Sequence, residues 1–367
     1  MSAFTGITVD REALIANYAT VADQVAPSGV VAVVKANGYG HGAADAARAF
    51  VDAGAEWLGV ADIDEGIALR QAGIDEGVRI LAWLHAPDED FRRAAQYGIT
   101  PAVSSVEQLS SAADAEVPAV HVCVDTGLSR NGAVESEWPE LFDRAGALAR
   151  SGARTRVEGL MSHLSNASRT DDLDQDAALQ RALDGLAARG IRPDVVHLAA
   201  SAAGIALPET RRDLARVGIA LYGLSPFADR TSADLGLRPA MRLTASVLRT
   251  VVVPAGDGVS YGYTWRAQTD TRLAVIGLGY ADGFDRAFGN RVSVRIGDRR
   301  FPVVGRVAMN AMHVDIGDAE VSVGDEVVLW GDPANGDPAV EEWAAAVGTI
   351  NYEVVARLGQ SIERRTT

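Results

Sequence analysis

Apolar residues along the chain fall into short unbroken runs, each followed by a stretch in which they recur every three or four positions. The runs are VVAVVK ending at Lys35, WLGVAD at Asp62, RILAWL at Leu84, ITPAVSS at Ser105, AVHVCVDT at Thr126, RVEGLMSHL at Leu164, VVHLAAS at Ser201 and LARVGIALYG at Gly223. The stretches between them read as helices, clearest in HGAADAARAFVDAG, IDEGIALRQAG and LDQDAALQRALDGLAARG. A further helix precedes the first run: Asp10 is placed to cap it, and Leu14, Tyr18, Val21 and Val25 share one face. Strands that are apolar on both faces and alternate with helices belong to parallel sheets. Eight of them in succession predict an α/β class chain opening with a (β/α)8 barrel of the TIM type. A doubly wound sheet would carry GxGxxG after its first strand, and that pattern is absent.

The texture changes at SPFADRTSADLGLRP, residues 225–239, where turn residues replace periodicity. Beyond it, MRLTASVLRTVVV, RLAVIGLGY, RVSVRIGDRRFPVVGRV, MHVDIG and DEVVLWG are short β-type runs, and only AVEEWAAAVG looks helical. The expected organisation is therefore a barrel over residues 1–232 and a mostly antiparallel β domain over 233–367, with the last residues, SIERRTT, frayed. A chain of 367 residues exceeds one ordinary core and supports the division.

Composition narrows the function. A net charge of −15 disfavours binding to nucleic acid. No apolar run reaches membrane length, and MSAFTGITVDRE lacks a signal-peptide pattern. The single cysteine, Cys123, excludes an intrachain disulfide and cannot build a thiolate metal site. The reading is a cytoplasmic protein with no metal.

One count changes the picture more than these. Of 34 basic residues only Lys35 is a lysine, and it stands where the first barrel strand breaks into a glycine-rich turn, KANGYGHG. Arginine replaces lysine as a surface cation but cannot act as an amine nucleophile. A retained lysine therefore points to Schiff-base chemistry with a carbonyl; the bland alternative is a strand-end lysine reaching out to solvent. Other polar residues gather at the ends of barrel strands, where active sites of such barrels lie: Arg130, His163, Ser201 and Arg216. An amine, a phosphate cradle after strands seven and eight, and Arg216 are what pyridoxal 5'-phosphate requires.

These segments resemble the alanine racemase family. AVVKANGYGHG is similar to its cofactor attachment site, and DTGLSRNG, SHLSNAS, HLAASAA, RVGIALYGL, SYGYTW, GYADGFDR, GRVAMN and TINYE follow in the family's order, over roughly Ile7 to Arg357. The resemblance implies a cytoplasmic homodimer, arranged head to tail, that uses pyridoxal 5'-phosphate to interconvert L- and D-alanine and so supplies D-alanine for peptidoglycan. By the same resemblance Lys35 would carry the cofactor, and Tyr39, Ser201, Gly218, Ile219 and Tyr352 would hold its phosphate. His163 would lie beside the ring, Arg216 would face the ring nitrogen, and Arg130 the phenolic oxygen. Met309 would offer its backbone amide to the substrate carboxylate, and Tyr280 would line the entrance. Inverting a stereocentre needs a base on each face of Cα; the resemblance assigns Tyr261, donated by the other subunit, to the L-isomer and Lys35 to the D-isomer. A phenol with an ordinary pKa of about 10 is a poor base at neutral pH, so His163 and Arg216 are the expected network that favours the phenolate. His197 is a candidate orienter of Arg216, whereas His41, His85, His121 and His313 read as structural.

Three positions depart from the family's pattern. Cys123 stands where many members carry a carbamylated lysine that orients the arginine matching Arg130, so a halide, a water or a carboxylate from elsewhere is expected beside Arg130. Ala200 replaces an asparagine before the phosphate serine, and Asn310 replaces an aspartate after Met309. The alternatives are a broad-spectrum or other amino-acid racemase of the same fold and, from another class, a decarboxylase of that fold. The decarboxylases resemble this chain in the lysine strand but use a cysteine in the β domain, which it lacks. A cofactor-homeostasis protein shares the barrel but has no β domain.

Overall fold

The computed structural model describes residues 4–367. The first strand, Thr5–Val9 (β1), leads into the helix Arg11–Val25, whose first turn is capped by the Asp10 carboxylate accepting from the Ala13 amide at 2.8 Å. Eight parallel strands then close a barrel: Gly29–Val33 (β2), Trp57–Val60 (β3), Arg79–Ala82 (β4), Ile99–Val103 (β5), Ala119–Cys123 (β6), Arg156–Met161 (β7), Val195–Ala200 (β8) and Leu214–Val217 (β9). They are the eight runs read from the sequence, in order, with β9 pairing back onto β2.

Both faces of these strands are apolar because both are covered. Val31, Trp57, Leu81, Ala102, Cys123, Met161 and Leu214 point into the barrel. Alternating residues such as Ala32, Leu58 and Ile80 pack outward against the helices, where Leu14, Val21 and Phe50 meet them. Each fully buried aliphatic side chain contributes about 1.5–3 kcal/mol. That is enough to offset, nearby, about 1–2 kcal/mol for each non-glycine residue held in a left-handed conformation.

The second half contains Met241–Val253 (β10), the short pair Gly258–Val259 (β11) and Trp265–Arg266 (β12), then Thr271–Ile276 (β13), Ser293–Ile296 (β14), Arg299–Val304 (β15), Met312–Asp315 (β16), Glu326–Trp330 (β17) and Glu363–Thr366 (β18). One sheet runs β13-β16-β15-β14-β17-β10-β1-β18, and the far half of β10 also pairs with β13. All its pairings are antiparallel except β1 with β18.

Three features differ from the sequence reading. The expected division at 232/233 assigns β1 to the barrel half, yet its hydrogen-bonded partners are β10 and β18 in the other sheet. The final residues are ordered rather than frayed: β18 is held by β1, and Arg364 reaches across to donate to the carbonyl of Gly40 at 2.6 Å. A helix, Asn351–Ala356, also lies where TINYE had suggested none.

Candidate active site

Val33 ends the first barrel stave, and after Val34 the chain winds through a left-handed turn, with φ near +50 to +60° at Ala36, Asn37, Gly38 and Tyr39. Glycine and asparagine tolerate this region; Ala36 and Tyr39 do not, and neighbours hold them there. Glu65, on the helix Ile63–Gln71, accepts from the Ala36 amide at 2.7 Å, and Asn37 Oδ1 accepts from the Ala43 amide at 3.1 Å. At Gly40 (φ +82°) a Cβ would lie 2.2 Å from the Val355 carbonyl oxygen, so only glycine lets the turn meet the C-terminal helix.

The turn delivers Lys35 into a cavity of about 1150 Å³ at the barrel mouth. Tyr39, Arg130, His163, Ser201, Arg216, Gly218 and Tyr352 line the same cavity. Ile219 lies just behind, its side chain fully buried, so only its backbone can serve a ligand. Tyr261, Met309 and Tyr280 are not in the cavity wall. They are exposed at 70 %, 56 % and 42 % on the second half of the chain. Tyr280 and Met309 lie together there, with the Ala281 amide donating to the Met309 carbonyl at 2.9 Å.

The electrostatics are those of a cationic mouth. Lys35 is held below its ordinary pKa chiefly by burial, then by Arg130 and Arg216, which raises its fraction of free amine. Arg216 is buried, and burial lowers it to about 10. Its Nη1 donates to His197 Nδ1 at 2.8 Å and its Nη2 to His163 Nδ1 at 3.0 Å and to the Ser162 carbonyl at 2.5 Å. Arginine only donates, so His163 Nδ1 accepts and the proton of the neutral ring sits on Nε2. Burial, with Arg216 next, keeps that ring neutral. Cys123 is buried too, its thiol pushed up to about 11, so it offers Arg130 no anion. No carboxylate pairs with Arg130 among the described residues; Asp125 instead accepts from the Gly127 and Ser129 amides that shape the loop.

The residues present fit pyridoxal 5'-phosphate. Gly218 leaves room that a side chain would fill, since a Cβ there would lie 2.2 Å from the Tyr39 hydroxyl oxygen. The hydroxyls of Tyr39 and Tyr352 stay protonated, both phenols being raised chiefly by burial. Neither has an acceptor among the described residues, so both can donate to a phosphate. Gly218→Ala is expected to displace the Tyr39 hydroxyl and weaken cofactor affinity about 10- to 100-fold, as for loss of a hydrogen bond to a charged group. A titration of the apoprotein by absorbance checks this.

A second outcome follows from His41, fully buried behind the turn and lowered by burial to about 4. Between pH 6.5 and 4 the unfolded chain binds a proton that the folded chain refuses, so stability falls as pH drops through this window. His41 alone accounts for up to about 3 kcal/mol, and His121 and His197 shift the same way. Urea unfolding of the apoprotein at pH 7.5 and 5 measures the loss, which should shrink in His41→Phe. Equal stability at the two values would contradict it.

Sequence reasoning passed over two residues of this neighbourhood. Trp83 forms part of the cavity wall, with Lys35 Nζ 5.7 Å from its ring centroid. His121, read as structural, touches His197 directly. Its position inside an apolar strand beside a second strand histidine was the only available signal.

Two family models together cover most of the chain. Residues 9–226 match the model described as "Alanine racemase, N-terminal domain" and residues 240–366 the one described as "Alanine racemase, C-terminal domain". The chain is similar to the alanine racemase of Mycolicibacterium vanbaalenii, 44% identical over 358 residues, covering 95% of this chain and 90% of that one. It is also similar to that of Salinispora tropica, 43% identical over 363 residues, covering 97% and 96%. Among solved structures, alanine racemase from D-cycloserine-producing Streptomyces lavendulae superposes with a TM-score of 0.96 at 38% identity, covering 100% of this chain and 98% of that one. The Bartonella henselae alanine racemase, described with covalently bound pyridoxal phosphate, gives 0.87 at 30% identity, with complete coverage of both chains.

Proposed function

The chain belongs to the alanine racemase family, and from that premise we propose that it interconverts L- and D-alanine with pyridoxal 5'-phosphate by a two-base mechanism, as a cytoplasmic homodimer supplying D-alanine for peptidoglycan. The observation that carries the cofactor is the meeting, in one cavity, of the chain's only lysine with tyrosine hydroxyls that lack acceptors among the described residues.

In this reading Lys35 holds the cofactor covalently, and the backbone of Gly218 and Ile219 with Ser201, Tyr39 and Tyr352 takes its phosphate. When bound, pyridoxal phosphate would supply an electron-withdrawing ring that acidifies the substrate Cα–H. The chain supplies the protons. Lys35 Nζ, its pKa already depressed, serves one face of Cα. Tyr261 Oη of the partner subunit serves the other, which accounts for a tyrosine outside the cavity wall of its own chain. Arg216, with Nε–H the one donor that has no acceptor among the described residues, offers the ring nitrogen a hydrogen bond without delivering a proton. That limits the ring as an electron sink and disfavours transamination. Arg130 and the Met309 amide, which also lacks an acceptor among the described residues, fix the polar ends of cofactor and substrate. Exposed Tyr261, Tyr263, Tyr280 and Met309 on the second half of the chain are the surface a partner would cover.

The test is direct. The purified protein should be yellow, and borohydride should bleach it and fix the label on Lys35, while a chiral assay follows L- to D-alanine. A colourless protein that takes up no pyridoxal phosphate would overturn the reading.

A further inference from the structure

Arg216 is a buried cation with no carboxylate in contact among the described residues, and a chain of side chains leads from it down the barrel axis. Its Nη1 donates to His197 Nδ1 at 2.8 Å. His197 Nε2 lies 2.8 Å from His121 Nδ1, and His121 Nε2 lies 3.6 Å from Glu158 Oε2. Both imidazoles are wholly buried, and Glu158 is nearly so. At the barrel floor, half-exposed Arg79 and Arg156 meet the same carboxylate at 3.1 and 2.7 Å. The surroundings are otherwise apolar, and β7 makes room for the inner ring: a Cβ on Gly159 would lie 2.6 Å from the His121 ring. A buried polar group without a partner costs about 1–3 kcal/mol, so an apolar pair would fill this space at lower cost unless the chain has a use.

The two ends dictate the protons between them. Arginine can only donate, so His197 Nδ1 accepts and its proton is on Nε2. That proton occupies the 2.8 Å gap to His121, so His121 Nδ1 also accepts and its proton faces Glu158. A proton added to either ring would set donor against donor at one of these contacts. We propose that His121 is a positioning residue for the racemase reaction: with Glu158 it fixes the Nε2–H form of His197 and so holds Arg216 with its Nε–H free for the cofactor ring. That Arg216 serves such a ring rests on the function proposed above; the proton arrangement rests on the contacts alone.

The test uses the full-length protein loaded with pyridoxal phosphate, 15N-labelled in its six histidines, as wild type, His121→Phe and His121→Asn. In the wild type at neutral pH, ring spectra should show His121 and His197 each as a single Nε2–H form. In His121→Phe, the His197 Nε2–H loses its acceptor, so the ring can turn out of its contact with Arg216 and, once out of it, should populate both forms. There kcat should fall about tenfold, the usual scale for a supporting contact, while KM for alanine stays within about twofold. The amide oxygen of His121→Asn stands where Nδ1 stood and should restore the single form, with kcat within about threefold of wild type. An Nδ1–H or doubly protonated ring in the wild type, or equal loss of kcat in both variants, overturns the proposal. Should His121→Phe not fold, the wild-type spectrum and His121→Asn decide. If no racemisation is seen at all, the proposed function fails while the spectra still report the chain.

Discussion

Lys35→Arg is expected to lower alanine racemisation by at least about 10⁴-fold while leaving the protein folded. A general base alone is worth about 10²–10⁴, and Lys35 is also the only side chain able to attach an aldehyde cofactor. Arginine keeps the positive charge and much of the stem, so the neighbours Trp83 and Glu65 lose little packing. It stays protonated, however, and cannot form the attachment. The lowered pKa of Lys35, set first by burial, marks an amine prepared for this task rather than one reaching into solvent. Residual activity above about one per cent, with unchanged circular dichroism, would contradict the assignment, because no second lysine exists to take over.

Tyr261→Phe is the second large effect, with a loss of about 10²–10⁴ in turnover. Tyr261 is exposed, so stability should move by no more than about 0.5 kcal/mol. The informative version mixes the two inactive variants. If each site takes its lysine from one subunit and its tyrosine from the other, a Lys35→Arg/Tyr261→Phe heterodimer holds one intact site and one doubly altered site. Random reassortment makes half the dimers mixed, so activity should return to about a quarter of wild type. Mixing that restores nothing, although subunits exchange, would place both groups within one chain.

The barrel was legible because its strands bury both faces, so every stave is an apolar run that no surface helix imitates. Lys35 was legible through its solitude, and Ser201 and Arg216 through their places at strand ends. The edges of the second sheet were not. Glu363–Thr366 carries charge on three consecutive positions and no apolar face, and it is a strand because backbone partners in β1 and the carbonyls around Arg364 hold it. β1 finds its partners more than 200 residues away, beyond any local pattern. The cluster around His121 was hidden for a similar reason. A histidine on an apolar strand looks like filler until the neighbouring staves bring His197 and Glu158 alongside.

The remote pairing of β1 has a consequence for biosynthesis. Thr5–Val9 leaves the ribosome before any of the staves, yet its antiparallel partner Met241–Val253 is made only after all eight, and Glu363–Thr366 later still. The barrel can therefore assemble while the leading strand waits with two unsatisfied edges, the condition in which nascent chains attract chaperones or pair with the wrong neighbour. Slow maturation should accordingly trace to this late stitching of the two ends rather than to closure of the staves.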